Sequence, residues 1–198
     1  MPDTAEDLVL TCIRNSPWHM QTLRAVRDVG LPDWAIGAGF VRNAVWDRLH
    51  GHATLTPLAD VDGLFFDPEE TDRSRELLVE KELGSALPDR PWSVRNQARM
   101  HSRNGDAPYA STLDAMRFWL ETPTCVAVCL ETDDRLRLLA PYGLEDLVTM
   151  RGRPTPTGIR KAGTYRARMR EKDWPATWPK VVVFGPDDSE VMRARRDA

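Results

Sequence analysis

Cysteine is scarce: the 198-residue chain contains 3, an odd number. That excludes a disulfide framework as what holds the fold together and fits a reducing compartment. No apolar run approaches the ~20 residues of a membrane-spanning helix. The start, "MPDTAEDLVL", is acidic and lacks the basic-then-apolar order of a secretory signal. Neither sign of charge dominates, since 27 Lys and Arg against 30 Asp and Glu leave a net charge of -3. Bulk charge therefore does not make the chain a general binder of polyanions. These absences point to a cytoplasmic protein with no membrane partner. There is also no internal repeat and no long linker. The organisation expected is a core over residues 1–150 and a basic, proline-spotted helical extension over 151–198 packed on it.

What is present is ordinary for a globular domain: 41% hydrophobic and 29% charged residues, enough to bury a core. The 7 tryptophans are read as core and loop packing. "TAEDLVLTCIRN" reads as a first helix, with Thr4 and Asp7 resembling a capping box. "SPWHMQTLRAVRDVG" reads as a second, with Ser16 at the N-cap, Pro17 in the first turn and Gly30 at the stop. "DWAIG" is short enough for one buried strand, and "GFVRNAVWDRLHG" returns to helical spacing. "DVDGLFF" and "PWSVRN" read as strands, the latter continuing through Gln97, Arg99 and His101 if it keeps its alternation. "LDAMRFWLE" reads as a helix capped by Ser111 or Thr112, and "TCVAVCLETDDRLRLLAPYG" as a hairpin turning at Thr132 to Asp134. Cys125 and Cys129 match neither a zinc knuckle nor a redox pair and are read as core thiols.

Two stretches carry chemistry. Where a strand ends at Gly37-Ala38-Gly39 and opens a helix, backbone N–H groups and the helix dipole make an anion site. Glycine lets a phosphate approach because no Cβ intervenes. A plain tight turn carries the same glycines, so the second stretch matters more. On a strand, Asp60 and Asp62 share a face while Val61 points away. Adjacent carboxylates repel unless a cation lies between them. Mg²⁺, or Mn²⁺ in its place, takes carboxylate oxygens together with substrate phosphate oxygens. Turn and acid pair together make a nucleotide–metal site suited to phosphoryl or nucleotidyl transfer.

The stretches Ile36-Gly37-Ala38-Gly39 and Asp60-Val61-Asp62 resemble the signature of the nucleotidyltransferase superfamily with the DNA polymerase beta type fold. Ala38 stands at the second signature position, with the second glycine displaced to Gly39. "IGAGFVRNAVWDRLHG", "DVDGLFFD", "WSVRNQARMH" and "APYGLEDL" are similar to a bacterial family of small nucleotidyltransferase-like proteins. The resemblance implies an α+β fold, a small, mixed, twisted sheet with helices mainly on one face. It also implies a third carboxylate on a neighbouring strand. Here that strand carries Asn96, and Glu131 on the next strand is the alternative.

The function expected is Mg²⁺-dependent transfer of a nucleoside monophosphate from an NTP to an acceptor (small molecule, RNA or protein), with pyrophosphate released. Asp60, Asp62 and Asn96 are the expected catalytic set, the two aspartates holding the metal. Gly37, Ala38, Gly39, Arg42, Asn43, Gln97, Arg99 and Lys161 are the expected nucleotide contacts. Arg42 suits a bidentate grip on phosphate, and the basic stretch carrying Lys161, Arg166 and Lys172 could close over a triphosphate. A nucleotide-binding or protein-interaction module of the same fold, without transfer, is the alternative. A metal-dependent phosphohydrolase is a third reading, for which further His or Asp ligands lack convincing spacing.

Overall fold

The structure, a computed structural model, describes residues 4–188; the last part of the expected extension, 189–198, lies outside the described residues. Helix α1 (Ala5–Arg14) starts on Thr4, whose side chain accepts from the Asp7 N–H. Helix α2 (Pro17–Val29) starts on Ser16 and stops at Gly30, which takes φ 73°. Both ends form where side-chain caps and a Cβ-free left-handed residue satisfy orphan backbone groups. Then come β1 (Ala35–Gly37), α3 (Gly39–His50), β2 (Val61–Phe65), α4 (Arg73–Ala86) and β3 (Trp92–Asn96). Short helices α5 (Gln97–Asn104) and α6 (Thr112–Met116) precede the hairpin β4 (Ala127–Leu130) and β5 (Leu136–Leu139). The remainder holds α7 (Glu145–Val148), β6 (Arg151–Gly152), α8 (Pro156–Arg160), α9 (Ala162–Lys172), α10 (Trp174–Thr177) and β7 (Val182–Val183). Among the described residues no helix is long and apolar enough to cross a membrane.

The fold is the α+β class expected. The main sheet runs β3-β2-β1-β4-β5, with β2 and β3 parallel and the other neighbours antiparallel. Strand alternation gives its two faces different neighbours. Ile36, Val61, Phe65 and Val94 join Ile13, Leu23, Val45 and Leu83 from the first four helices in the main core. On the other face Ala35, Leu64, Ala127 and Cys129 meet Met116 in a smaller cluster. That thinner cover leaves part of the second face open, and the candidate site lies there. Trp174 and Trp178 pack edge-on against Trp46, with ring centroids 5.1 and 5.2 Å away, so the C-terminal segment completes the main core.

Two segments depart from the alternation and helix patterns. The chain does not stay extended after β3, because the Asn96 side chain accepts from Ala98 N (3.1 Å) and caps α5. Gln97, Arg99 and His101 therefore lie on a helix and do not share a strand face. Helix α6 stops at Met116, and residues 117–120 turn back. There the Thr155 hydroxyl donates to Trp119 O (2.5 Å) and Thr155 N donates to Leu120 O (3.0 Å). Gly158 makes this approach possible, since a Cβ on it would stand 2.1 Å from Leu120 O.

His19 ties α2 to the start of α3. It is 2% exposed. Phe40 O can only accept, so Nε2 carries the proton across the 3.0 Å contact, and Nδ1 accepts from Ser16 Oγ at 2.7 Å. Burial pushes its pKa down to about 4, with Asp47 and Arg90 the nearby charges. The unfolded chain takes up a proton near 6.5 while the folded chain does not, so this contribution is whole above pH 6.5 and fades as pH falls towards 4. Urea unfolding at pH 7 and pH 4.5 should show native stability falling relative to His19→Gln by up to about 3 kcal/mol. Comparison with the variant isolates His19 from the carboxylates that titrate in the same window.

Candidate active site

β1 delivers the chain to α3 through a constrained corner. A Cβ on Gly37 would lie 3.2 Å from Leu64 Cδ1 and from the Trp119 ring, so Gly37 serves the packing beneath the turn. Ala38 takes φ 54°, ψ -120° and donates its N–H to Val126 O at 2.9 Å. This conformation favours glycine, and holding alanine there stores strain beside the site. Ala38→Gly should raise stability by about 1 kcal/mol in denaturant titration. The first intrahelical bond runs from Arg42 N to Ala38 O. The amides of Gly39, Phe40 and Val41 thus precede the ladder, without side-chain capping.

Facing this helix start is a cleft of about 420 Å³. Ala38, Gly39, Arg42, Asn43, Asp60, Asp62, Gln97 and Lys161, all expected at the site, line it. Asp62 projects from β2 on the same face as Leu64, and Asp60 comes just before the strand. Burial, and next the charge of Asp60, push the Asp62 carboxyl up to about 6, with Arg168, Lys172 and Arg42 opposing the rise. The acid pair is thus close enough to repel and sits under a ring of cations.

Arg42 is buried beneath the cleft. Its guanidinium lies 4.8 Å from the Trp174 ring centroid and 5.4 Å from that of Trp46, and Nη2 donates to Asn43 Oδ1 at 2.9 Å. Its Nε has no partner among the described residues. Burial lowers its pKa to about 10, opposed chiefly by Glu121, so it stays a cation at neutral pH with a donor to spare.

The remaining expected residues lie elsewhere. Phe65 pairs with Asn96 and Leu64 with Arg95, so Arg95 reaches the cleft and Asn96 turns into the protein. Asn96 is 0% exposed; its amide donates to the carbonyls of Asp67 (2.8 Å) and Glu70 (2.7 Å). It lies outside the cleft lining. Glu131 closes the far hairpin end and accepts from Arg137 Nε at 2.7 Å. Arg99 grips Glu76 with two bonds of 2.6 Å, away from the cleft. Arg166 pairs with Asp187.

The third carboxylate lining the cleft is Glu121, which the sequence reading did not single out. It is 1% exposed and accepts from Arg168 Nε at 2.6 Å. Lys161, Thr164, Arg168 and Lys172 line the opposite wall from α9 and its cap. Their 3–4 spacing is the signal that would have separated Arg168 from Arg166. Phe118, Trp119 and Met100 supply an apolar end to the cleft.

A helix start answering an acid pair across the open face of a small mixed sheet defines the nucleotidyltransferase class. Residues 24–183 match the nucleotidyltransferase family, and the chain belongs to it. A solution structure described as revealing a CCA-adding enzyme head domain is 32% identical, with a TM-score of 0.81 over 93% of this chain and 98% of that one. An apo form of a tRNA-processing enzyme has a TM-score of 0.53 at 16% identity, over 88% of this chain and 48% of that one. At that identity the likeness is one of fold, and this chain spans about half that protein's length. No curated protein matches the chain.

Proposed function

We propose that the protein moves a nucleoside monophosphate from an NTP to an acceptor and releases pyrophosphate, with Asp60 and Asp62 holding Mg²⁺ or Mn²⁺. The donor set fits such an ion. Both ligands are carboxylates, and the mutual repulsion that helps hold Asp62 near 6 is relieved by a hard cation. Two protein carboxylates leave coordination positions for phosphate oxygens and water. Among the described residues no group of three or more His, Cys, Asp or Glu gathers for a metal. Such an ion, when bound, neutralises charge on the phosphates being separated.

The chain's own groups do the positioning. Free amides from Gly39 onward and the buried Arg42 grip phosphate oxygens, and Asn43 reaches phosphate or sugar. Arg168 and Lys172 close the polyphosphate from the α9 side, while Phe118 and Trp119 take the base. Gln97 and Lys161, which line the same cleft, complete the nucleotide contacts. The core over 1–150 supplies the acid pair and helix start, and the segment from 151 supplies the facing wall. The acceptor hydroxyl gives its proton up to solvent, its oxygen bonds to the α-phosphorus, and the bond from that phosphorus to the oxygen bridging to the β-phosphorus breaks, so that pyrophosphate leaves with that oxygen.

The observation that carries this proposal is that Asp60 and Asp62 line one cleft with the uncapped start of α3. Calorimetry with ATP, CTP, GTP and UTP, with and without Mg²⁺, tests it alongside a pyrophosphate assay over small-molecule, RNA and protein acceptors. At least one NTP should bind only with metal; none binding overturns the proposal. Glu121 is already committed to Arg168, which favours a binding module as the second reading. Metal-dependent binding without pyrophosphate from any acceptor would support that second reading.

A further inference from the structure

Asp62 is held by the sheet, but Asp60 is not: β2 begins at Val61. Asp60 ends a connection, residues 51–60, that contains neither helix nor strand. Burial does not press this segment down. One cavity of about 420 Å³ is lined by its first half, from His52 to Leu55, together with Cys12. Another of about 280 Å³ is lined by Leu55, Thr56, Pro57 and Leu58, together with Phe40. The tether is polar and comes from Asp47 of α3, which is 4% exposed. Asp47 Oδ2 accepts from Thr56 N at 2.7 Å. Its Oδ1 accepts from Thr56 Oγ1 (2.6 Å) and Trp178 Nε1 (2.8 Å) and lies 3.0 Å from His52 Nδ1. Just past this anchor Leu58 packs on Gly39, where a Cβ would come 3.2 Å from Leu58 Cδ2.

We propose that Asp47 is a positioning residue for the nucleotidyl-transfer site, fixing Asp60 against Asp62 and the start of α3 by anchoring the 51–60 connection at Thr56. This rests on the reading of Asp60 and Asp62 as a metal pair. The anchor needs a carboxylate. Thr56 N and Trp178 Nε1 can only donate, and they approach different oxygens. An amide has one acceptor oxygen and must set its NH₂ against one of the two. Whichever way the amide turns in Asp47→Asn, its NH₂ meets the N–H of Thr56 or of Trp178, and that repulsion pushes the side chain off the connection, so that Asp60 loses its place.

Mn²⁺ alone, titrated into the full chain and followed by water proton relaxation, reads the effect without turnover. Asp47→Asn should weaken Mn²⁺ binding at least tenfold and speed hydrogen exchange of the Thr56 amide at least tenfold. Trp178→Phe removes one bond to the same carboxylate but leaves Thr56 anchored, and should bind Mn²⁺ as the native chain does. If Asp47→Asn does not fold, Thr56→Val should still weaken Mn²⁺ binding, with Thr56→Ser restoring it. Native affinity in folded Asp47→Asn or in Thr56→Val, or equal weakening in Trp178→Phe, overturns the inference while leaving the metal pair standing. No saturable Mn²⁺ binding by the native chain overturns the metal pair and this inference with it.

Discussion

On the proposed function, Asp62→Asn and Asp60→Asn should each cut metal-dependent pyrophosphate release at least about a hundredfold, a loss of about 2.7 kcal/mol in the transition state. An amide keeps the shape of the carboxylate but carries no charge, so the pair no longer balances a cation against the phosphates. Melting of the metal-free chain separates this from misfolding, because the sign of the stability change differs. The folded Asp62 carboxyl titrates near 6, above its ordinary 3.8. Stability therefore falls as pH rises through that window, and at pH 7.5 the ionised group burdens the metal-free fold. Asp62→Asn should melt no lower than the native chain at pH 7.5. A variant that melts normally and retains native pyrophosphate release would remove Asp62 from the chemistry.

Arg99→Met lowers stability by about 3–5 kcal/mol, or roughly 10 °C in melting temperature, while leaving NTP affinity unchanged. The Glu76 side chain is fully buried, and Arg99 supplies two of the hydrogen bonds it accepts. Its Oε1 also accepts from Asn96 N at 2.8 Å, so the pair binds α4 to the end of β3. Without the guanidinium the carboxylate is left in the interior with a single backbone donor. Denaturant unfolding measures the stability change, and calorimetry with the NTP that binds the native chain measures affinity. A large affinity loss in folded Arg99→Met would return Arg99 to the nucleotide contacts.

The helix ends were legible because their causes are local. Ser16, Pro17 and Gly30 act on neighbouring amides and carbonyls, and the 132–134 turn needs only its own residues and Asp134 at φ 60°. The helix start was legible for the same reason, and so was Asp62, which alternation along β2 puts on the face of Leu64; Asp60 comes before β2 begins at Val61, so alternation did not place it. The neighbouring strand was not. Whether Arg95 or Asn96 faces the cleft depends on the register between β2 and β3, and a shift by one residue exchanges the two faces. The cap at Asn96 turned what read as strand alternation into a helix. Residues 117–120 were equally opaque, because what ends α6 is a pair of bonds from Thr155, more than thirty positions later.

Local chemistry along the chain was enough to set the capped ends of the first two helices, the glycine corner from Gly37 to Gly39 and the strand face that carries Asp62, since each follows from groups a few residues apart. Tertiary structure alone decided which third carboxylate and which cations meet the two aspartates. Glu121, Arg168 and the Asp47 anchor of residues 51–60 depend on contacts between distant segments. Those contacts are fixed by packing and charge pairing between whole elements; helical spacing marks which cations share the face of Arg168, but nothing local marks the carboxylate that face meets.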